Sequence, residues 1–102
     1  MFGLFGRKPD FMALLQEAKE KKGAVVIDVR EPGEYTQGHV PGSINIPTSQ
    51  INTVNYEKDT PLYLYCLSGG RSKMAAGFLK QKGFQNIKNM GGIGQYCGEL
   101  EK

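Results

Sequence analysis

The chain has 102 residues, 39% hydrophobic and 23% charged, which suits one globular domain around a single core. Its net charge of +3 comes from scattered basic residues with no basic run among aromatics, which argues against a nucleic-acid partner. Two cysteines make no disulfide framework and no window is long enough to span a membrane, so a cytoplasmic monomer without a membrane partner is expected.

The amino terminus, Met1-Phe2-Gly3-Leu4-Phe5-Gly6-Arg7-Lys8, is apolar first and basic afterwards, the reverse of a secretory signal. Residues 1–9 read as a flexible N-terminal segment, with Phe2, Leu4 and Phe5 as a frayed end or a cap on the core, and residues 10–102 as the domain. Pro9-Asp10 opens a first helix whose apolar stripe is Phe11, Leu14, Leu15 and Ala18, and Gly23 closes it. Ala24-Val25-Val26-Ile27-Asp28-Val29 is a β-branched run, as expected of a strand buried on both faces. Arg30 to Gly42 carries Pro32-Gly33, Gly38 and Pro41-Gly42, so it reads as loop with one short helix around Glu34-Tyr35. Ser43-Ile44-Asn45-Ile46 is a short strand stopped by Pro47, and Ser49 caps a short helix through Val54.

After a polar connection, Leu62 to Cys66 forms a strand and Ser72 to Lys82 a helix, with Met74, Ala75, Phe78 and Leu79 expected to face inward. A last strand lies around Asn86-Ile87-Lys88, and a short helix from Ile93 to Leu100 is expected to finish the chain. Strands alternating with helices predict an α/β fold with a parallel sheet covered on both faces. In such sheets the site lies beyond the carboxyl ends of the strands, where Asp28-Val29-Arg30 and Cys66 should meet.

The stretch Tyr63-Leu64-Tyr65-Cys66-Leu67-Ser68-Gly69-Gly70-Arg71-Ser72 carries the strongest chemical signal. A strand ends in cysteine, a double-glycine loop follows, and a helix then aims its positive dipole end back at the sulfur. Backbone N–H groups converging there stabilise an anion, and such surroundings lower a thiol pKa from about 8.5 into the range of about 3.5 to 7.5. Arg71 adds a fixed charge and a planar fork of donors suited to an oxyanion. The plain alternative, Cys66 as a small buried hydrophobe, leaves the glycines and the arginine unexplained. Asp28 and Arg30 are expected to support the loop, His39 to make a structural hydrogen bond, Glu34 to cap or pair locally, and Cys97 to be inert. Cys66, Cys97 and His39 lack metal-ligand spacing, so neither metal nor cofactor is expected.

Three ordered motifs resemble the rhodanese-like domain family. They are Asp28 to Tyr35 with Gly38 to Pro47, the loop Cys66 to Ser72, and Gly83-Phe84, Ile87 and Gly91-Gly92. The resemblance implies a five-stranded, mainly parallel sheet flanked by helices on both faces. It also implies transfer of sulfane sulfur, from thiosulfate or a similar small anionic donor, through a persulfide on Cys66. Cyanide, a thiol or a sulfur-accepting protein would receive it. Leu67, Ser68, Gly69, Gly70, Arg71 and Ser72 would bind the substrate. Leu67 stands where many thiosulfate-using members carry arginine, and Tyr96 replaces a frequent tryptophan. Phosphatases and arsenate reductases share the fold but have one more residue between cysteine and arginine than the four from Leu67 to Gly70. A non-catalytic sulfur carrier or interaction module is the remaining alternative.

Overall fold

The computed structural model describes residues 9–102; the expected N-terminal segment falls outside the described residues up to position 8. Asp10 caps α1 (Phe11–Glu20) by accepting a hydrogen bond from the Ala13 N–H at 3.1 Å, and Phe11, Leu15 and Ala18 bury its inner face. β1 (Val25–Asp28) leads to α2 (Pro32–Gln37), the short helix expected around Glu34-Tyr35. β2 (Ile44–Asn45) and a 3₁₀ helix (Thr48–Thr53) follow, and Pro47 separates them. β3 (Leu62–Cys66) feeds α3 (Gly70–Gln81), and β4 (Ile87–Gly92) ends in a 3₁₀ turn (Ile93–Gln95). Among the described residues, no helix is long and apolar enough to cross a membrane.

The strands pair in the order β2-β1-β3-β4, all in parallel. β3 is therefore an inner strand, and all five of its residues are buried. Its alternation divides the core. Leu62, Leu64 and Cys66 face the cluster with Ala75, Ala76 and Leu79 of α3, while Tyr63 and Tyr65 face Phe11 and Leu15 of α1. The tyrosines keep their hydroxyls satisfied. Tyr63 donates to Glu17, and Tyr65 accepts from the Val40 N–H at 3.0 Å and bonds the Ser43 hydroxyl. Removing water from these two apolar layers is the main stabilising term, at roughly 25 cal/mol per Å² of apolar surface.

Five expectations change. The short helix expected to be capped by Ser49 starts at Thr48 after Pro47, with no side-chain cap bond. The sheet has four strands among the described residues rather than five. The additional pairing is a single antiparallel bridge between His39 and Glu101, which Pro41, lacking an N–H, cannot help to extend. Met74 points to solvent at 77% exposure, because Ser72, Ala75, Ala76 and Leu79 form the buried stripe and Met74 lies off it. The expected helix from Ile93 to Leu100 is only the single turn Ile93–Gln95; Gly94 and Gly98 give no helical preference beyond it. Finally, α3 begins at Gly70 rather than Ser72, which brings the helix start to the end of the cysteine loop.

Candidate active site

Cys66 is the last residue of β3, buried at 1% exposure, and the loop after it curls so that the chain meets the sulfur again. The curl depends on Gly69, which sits at φ +102° as the cap of α3, a conformation that β-carbon-bearing residues avoid. The Cys66 Sγ accepts from the Gly69 N–H at 2.9 Å and from the Ser72 N–H at 3.4 Å. The Ser72 hydroxyl lies 3.4 Å from the sulfur. Burial pushes the thiol pKa up. Hydrogen bonds from the Ser72 hydroxyl and from the Ser72, Gly69 and Ser68 N–H groups outweigh it, so the group sits below its ordinary value.

Ser72 has one hydroxyl proton and three acceptors: the sulfur, the Gly69 carbonyl at 3.1 Å and Asn89 Oδ1 at 2.6 Å. Asn89 Oδ1 is fixed by the Gly91 N–H, which donates to it at 3.0 Å. With a neutral thiol the shortest bond, to Asn89, holds the proton. A thiolate is the only charged acceptor of the three, and charge-assisted bonding then draws the proton to sulfur. Asn89 was not among the residues singled out from the sequence. Its one signal is a polar side chain, rare in a strand, beside the final glycine pair.

The glycine pair explains itself in three dimensions. β4 skips a residue against β3, so that Tyr65 pairs with Gly91 and Cys66 with Gly92. A β-carbon on Gly92 would lie 2.5 Å from the Leu67 carbonyl oxygen and 3.0 Å from Ser68 Cα. The loop therefore rests on bare backbone. Gly92→Ala should lose about 1–3 kcal/mol of stability in chemical denaturation, since overpacking here must displace backbone. Gly94→Ala, with open space around it, is the control and should be neutral. Equal stability of the two variants would contradict this account.

Of the remaining loop residues, Leu67 is 56% exposed and Gly70 is the first helical residue; neither donates to Sγ among the described residues. Arg71 does not extend freely. Its Nη1 and Nη2 donate to Glu34 Oε1 and Oε2 at 2.8 and 3.0 Å, a bidentate pair. The Arg71 guanidinium draws the Glu34 carboxyl down to about 2 against the upward push of burial. Arg71 in turn is raised above its ordinary value, first by Glu34 and more weakly by the Cys66 charge. A hollow of about 600 Å³ opens beside Arg71, between Ile51 of the 3₁₀ helix and Met74 and Phe78 of α3.

Asp28 and Arg30 are buried, and the hydrogen bonds to the sulfur among the described residues come from Gly69 and Ser72, not from them. Arg30 Nη2 donates to Asp28 Oδ2 at 2.7 Å and to the Gly38 carbonyl at 2.8 Å, which ties the two ends of the α2 loop to β1. His39 bonds the Tyr35 carbonyl through Nδ1 at 2.9 Å and stacks on the Tyr35 ring, a structural placement. Cys97 is exposed, and Tyr96 leans on Phe11 with ring centroids 6.3 Å apart. Among the described residues, no three metal-ligating side chains cluster.

Similarity to known proteins follows the same outline. Residues 11–99 match the rhodanese-like domain. The Bacillus subtilis protein YqhL is 40% identical over 96 residues, covering 88% of this chain and 76% of its own. The thiosulfate sulfurtransferase GlpE of Pseudoalteromonas translucida is 35% identical, covering 74% of each chain. Some relatives are longer: the chain spans 50% of a putative sulfur carrier protein of Bacillus subtilis, 33% identical to it. A solved structure described as a rhodanese with anions from E. coli superposes with a TM-score of 0.70 at 32% identity, covering 78% of this chain and 98% of the other. A parallel sheet between helices, a cysteine ending its inner strand, and a match across nearly all described residues agree: the chain belongs to the rhodanese-like domain family.

Proposed function

We propose that the protein is a sulfurtransferase that accepts sulfane sulfur on Cys66 from thiosulfate or a similar small anionic donor. A rhodanese-type sulfur-transfer role is supported by relatives named sulfurtransferase, GlpE and sulfur carrier. The observation that carries the finer reading is the sulfur cradle, in which Gly69 and Ser72 donate to Cys66 Sγ. A thiolate formed there attacks the outer sulfur of thiosulfate. The new bond is Cys66 Sγ–S, the bond broken joins that sulfur to the sulfonate, and its electron pair leaves with sulfite. The product Cys66–S–S⁻ is again an anion, and the N–H groups at the sulfur and Arg71 are suited to the charges of persulfide and departing sulfite. Sulfite departs as an anion, so no proton is needed and no general base is required. Cyanide, a thiol or an acceptor protein then removes the outer sulfur. The reading places the protein in the cytoplasm, where Cys66 and Cys97 stay reduced.

Phosphoryl chemistry is less well served. Phosphoryl transfer needs an acid to protonate the leaving oxygen. The carboxyl beside the loop, Glu34, stays ionised near neutrality against Arg71 and has no proton to give. The test is intact-mass measurement after exposure to thiosulfate, which should show a gain of about 32 Da, one sulfur, that cyanide removes. The same preparation should leave an aryl phosphate unhydrolysed. Cys66-dependent phosphatase turnover without any sulfur gain would overturn the reading.

A further inference from the structure

Sulfur transfer from thiosulfate to Cys66 needs no carboxylate, yet Glu34 is built into the site. Glu34 is the third residue of α2, and Pro32 begins that helix. Its Oε1 also accepts from the Glu31 N–H at 2.9 Å, closing a reciprocal cap that fixes the side chain. The Arg30 clamp onto Asp28 and Gly38 holds the same loop against β1. From this anchored position both carboxylate oxygens reach across to the loop after β3 and take both terminal nitrogens of Arg71. The two residues are 37 positions apart in sequence, and each side chain is about one-third exposed, at 31% and 36%.

The consequence is electrostatic. Arg71 is the only cation of the Cys66–Ser72 loop and follows directly on Gly69-Gly70, the first of which donates to the sulfur. Formally, a Cys66 thiolate (−1), the Arg71 guanidinium (+1) and the Glu34 carboxylate (−1) sum to −1. A dianion entering this field is opposed about twice as strongly as a monoanion of the same shape, because Coulomb energy scales with ligand charge. We propose that Glu34 is a specificity-determining residue whose carboxylate offsets Arg71 and makes the cradle favour monoanionic sulfane-sulfur donors over dianionic ones such as thiosulfate. The inference rests on the reading of Cys66 as the sulfur-accepting thiolate.

A matched donor pair tests it. Thiosulfate and methanethiosulfonate present the same tetrahedral S–SO₂ unit with charges of −2 and −1. In each case the Cys66 thiolate bonds the outer sulfur, and the electron pair of the broken S–S bond leaves with sulfite or methanesulfinate. Glu34→Gln keeps an oxygen to cap Glu31 and removes the charge. It should raise the ratio of kcat/KM for thiosulfate over methanethiosulfonate by roughly five- to tenfold, mostly through KM. Glu34→Asp keeps the charge and should hold the parental ratio even if both rates fall.

A second readout needs no sulfur transfer. With Cys97 changed to serine, alkylation of Cys66 by iodoacetate relative to iodoacetamide should speed up by a similar factor in Glu34→Gln. If Glu34→Gln lowers thiosulfate turnover and leaves both ratios unchanged, Glu34 merely holds Arg71 in place and the proposal is wrong. If the alkylation ratio shifts while neither donor transfers sulfur, the charge effect of Glu34 stands and the proposed function fails instead.

Discussion

Replacing Cys66 with serine is expected to abolish the sulfur adduct and lower sulfur transfer by about 10³-fold or more. A serine hydroxyl remains protonated at any working pH and cannot hold a sulfane sulfur, however well the Gly69 and Ser72 donors are placed. Stability should change little, because the side chain is replaced by a near-isostere that keeps polar partners at the same site. Intact-mass measurement after thiosulfate, with the thermal midpoint as folding control, gives both answers. An adduct that persists in Cys66→Ser would transfer the role to Cys97, the other free cysteine. The parent carries a sign that can be checked as well. Its thiol lies below the ordinary value, so the alkylation rate should rise with pH and level off at lower pH than for an unperturbed cysteine. A rise that continues to the ordinary thiol range would mean that burial, not the hydrogen bonds, decides the pKa.

Arg71→Ala should cost roughly 10²-fold in kcat/KM for thiosulfate, the usual scale for loss of one preorganised donor to a developing oxyanion. Two effects combine in that variant. The cation is lost, and the Glu34 carboxylate, now without its bidentate partner, is left as an uncompensated negative charge near the site. Removing both through Arg71→Ala with Glu34→Gln should therefore recover part of the loss, so the two changes are not additive. Arg71→Lys should rescue only partially, since an ammonium offers a point charge and not a fork. Initial rates with thiosulfate and cyanide measure all four proteins. An alanine variant within twofold of the parent would remove Arg71 from the site.

Much of the architecture was legible locally. The β-branched run before Asp28, the Leu62–Cys66 strand and the Asp10 cap are decided by residues within a few positions of one another. The same holds for the double glycine after Cys66, since a left-handed turn at Gly69 needs no distant partner. The four strands read from periodicity are the four that pair, whereas a fifth was implied only by family resemblance.

Sequence alone thus determined a cysteine at a strand end facing a helix start, because strand, turn and cap are short-range preferences. What surrounds that cysteine was decided only by the tertiary structure. Glu34 reads as a helix cap or a local partner, and only the crossover from β1 through α2 brings its carboxylate to the distant Arg71. Asn89 carries only a weak local signal, a polar side chain in a strand, and only the pairing of β4 with β3 sets it against the Ser72 hydroxyl. Gly92 stands out in the sequence only as part of the closing motif Gly91-Gly92, and it is needed because the Leu67 carbonyl passes over it. Met74 fits an apolar stripe by spacing, but the helix rotates to bury Ser72 and Ala75 against the sheet. Each of these depends on sheet register and helix rotation, which are fixed by packing across the whole core and leave no periodic trace in the chain.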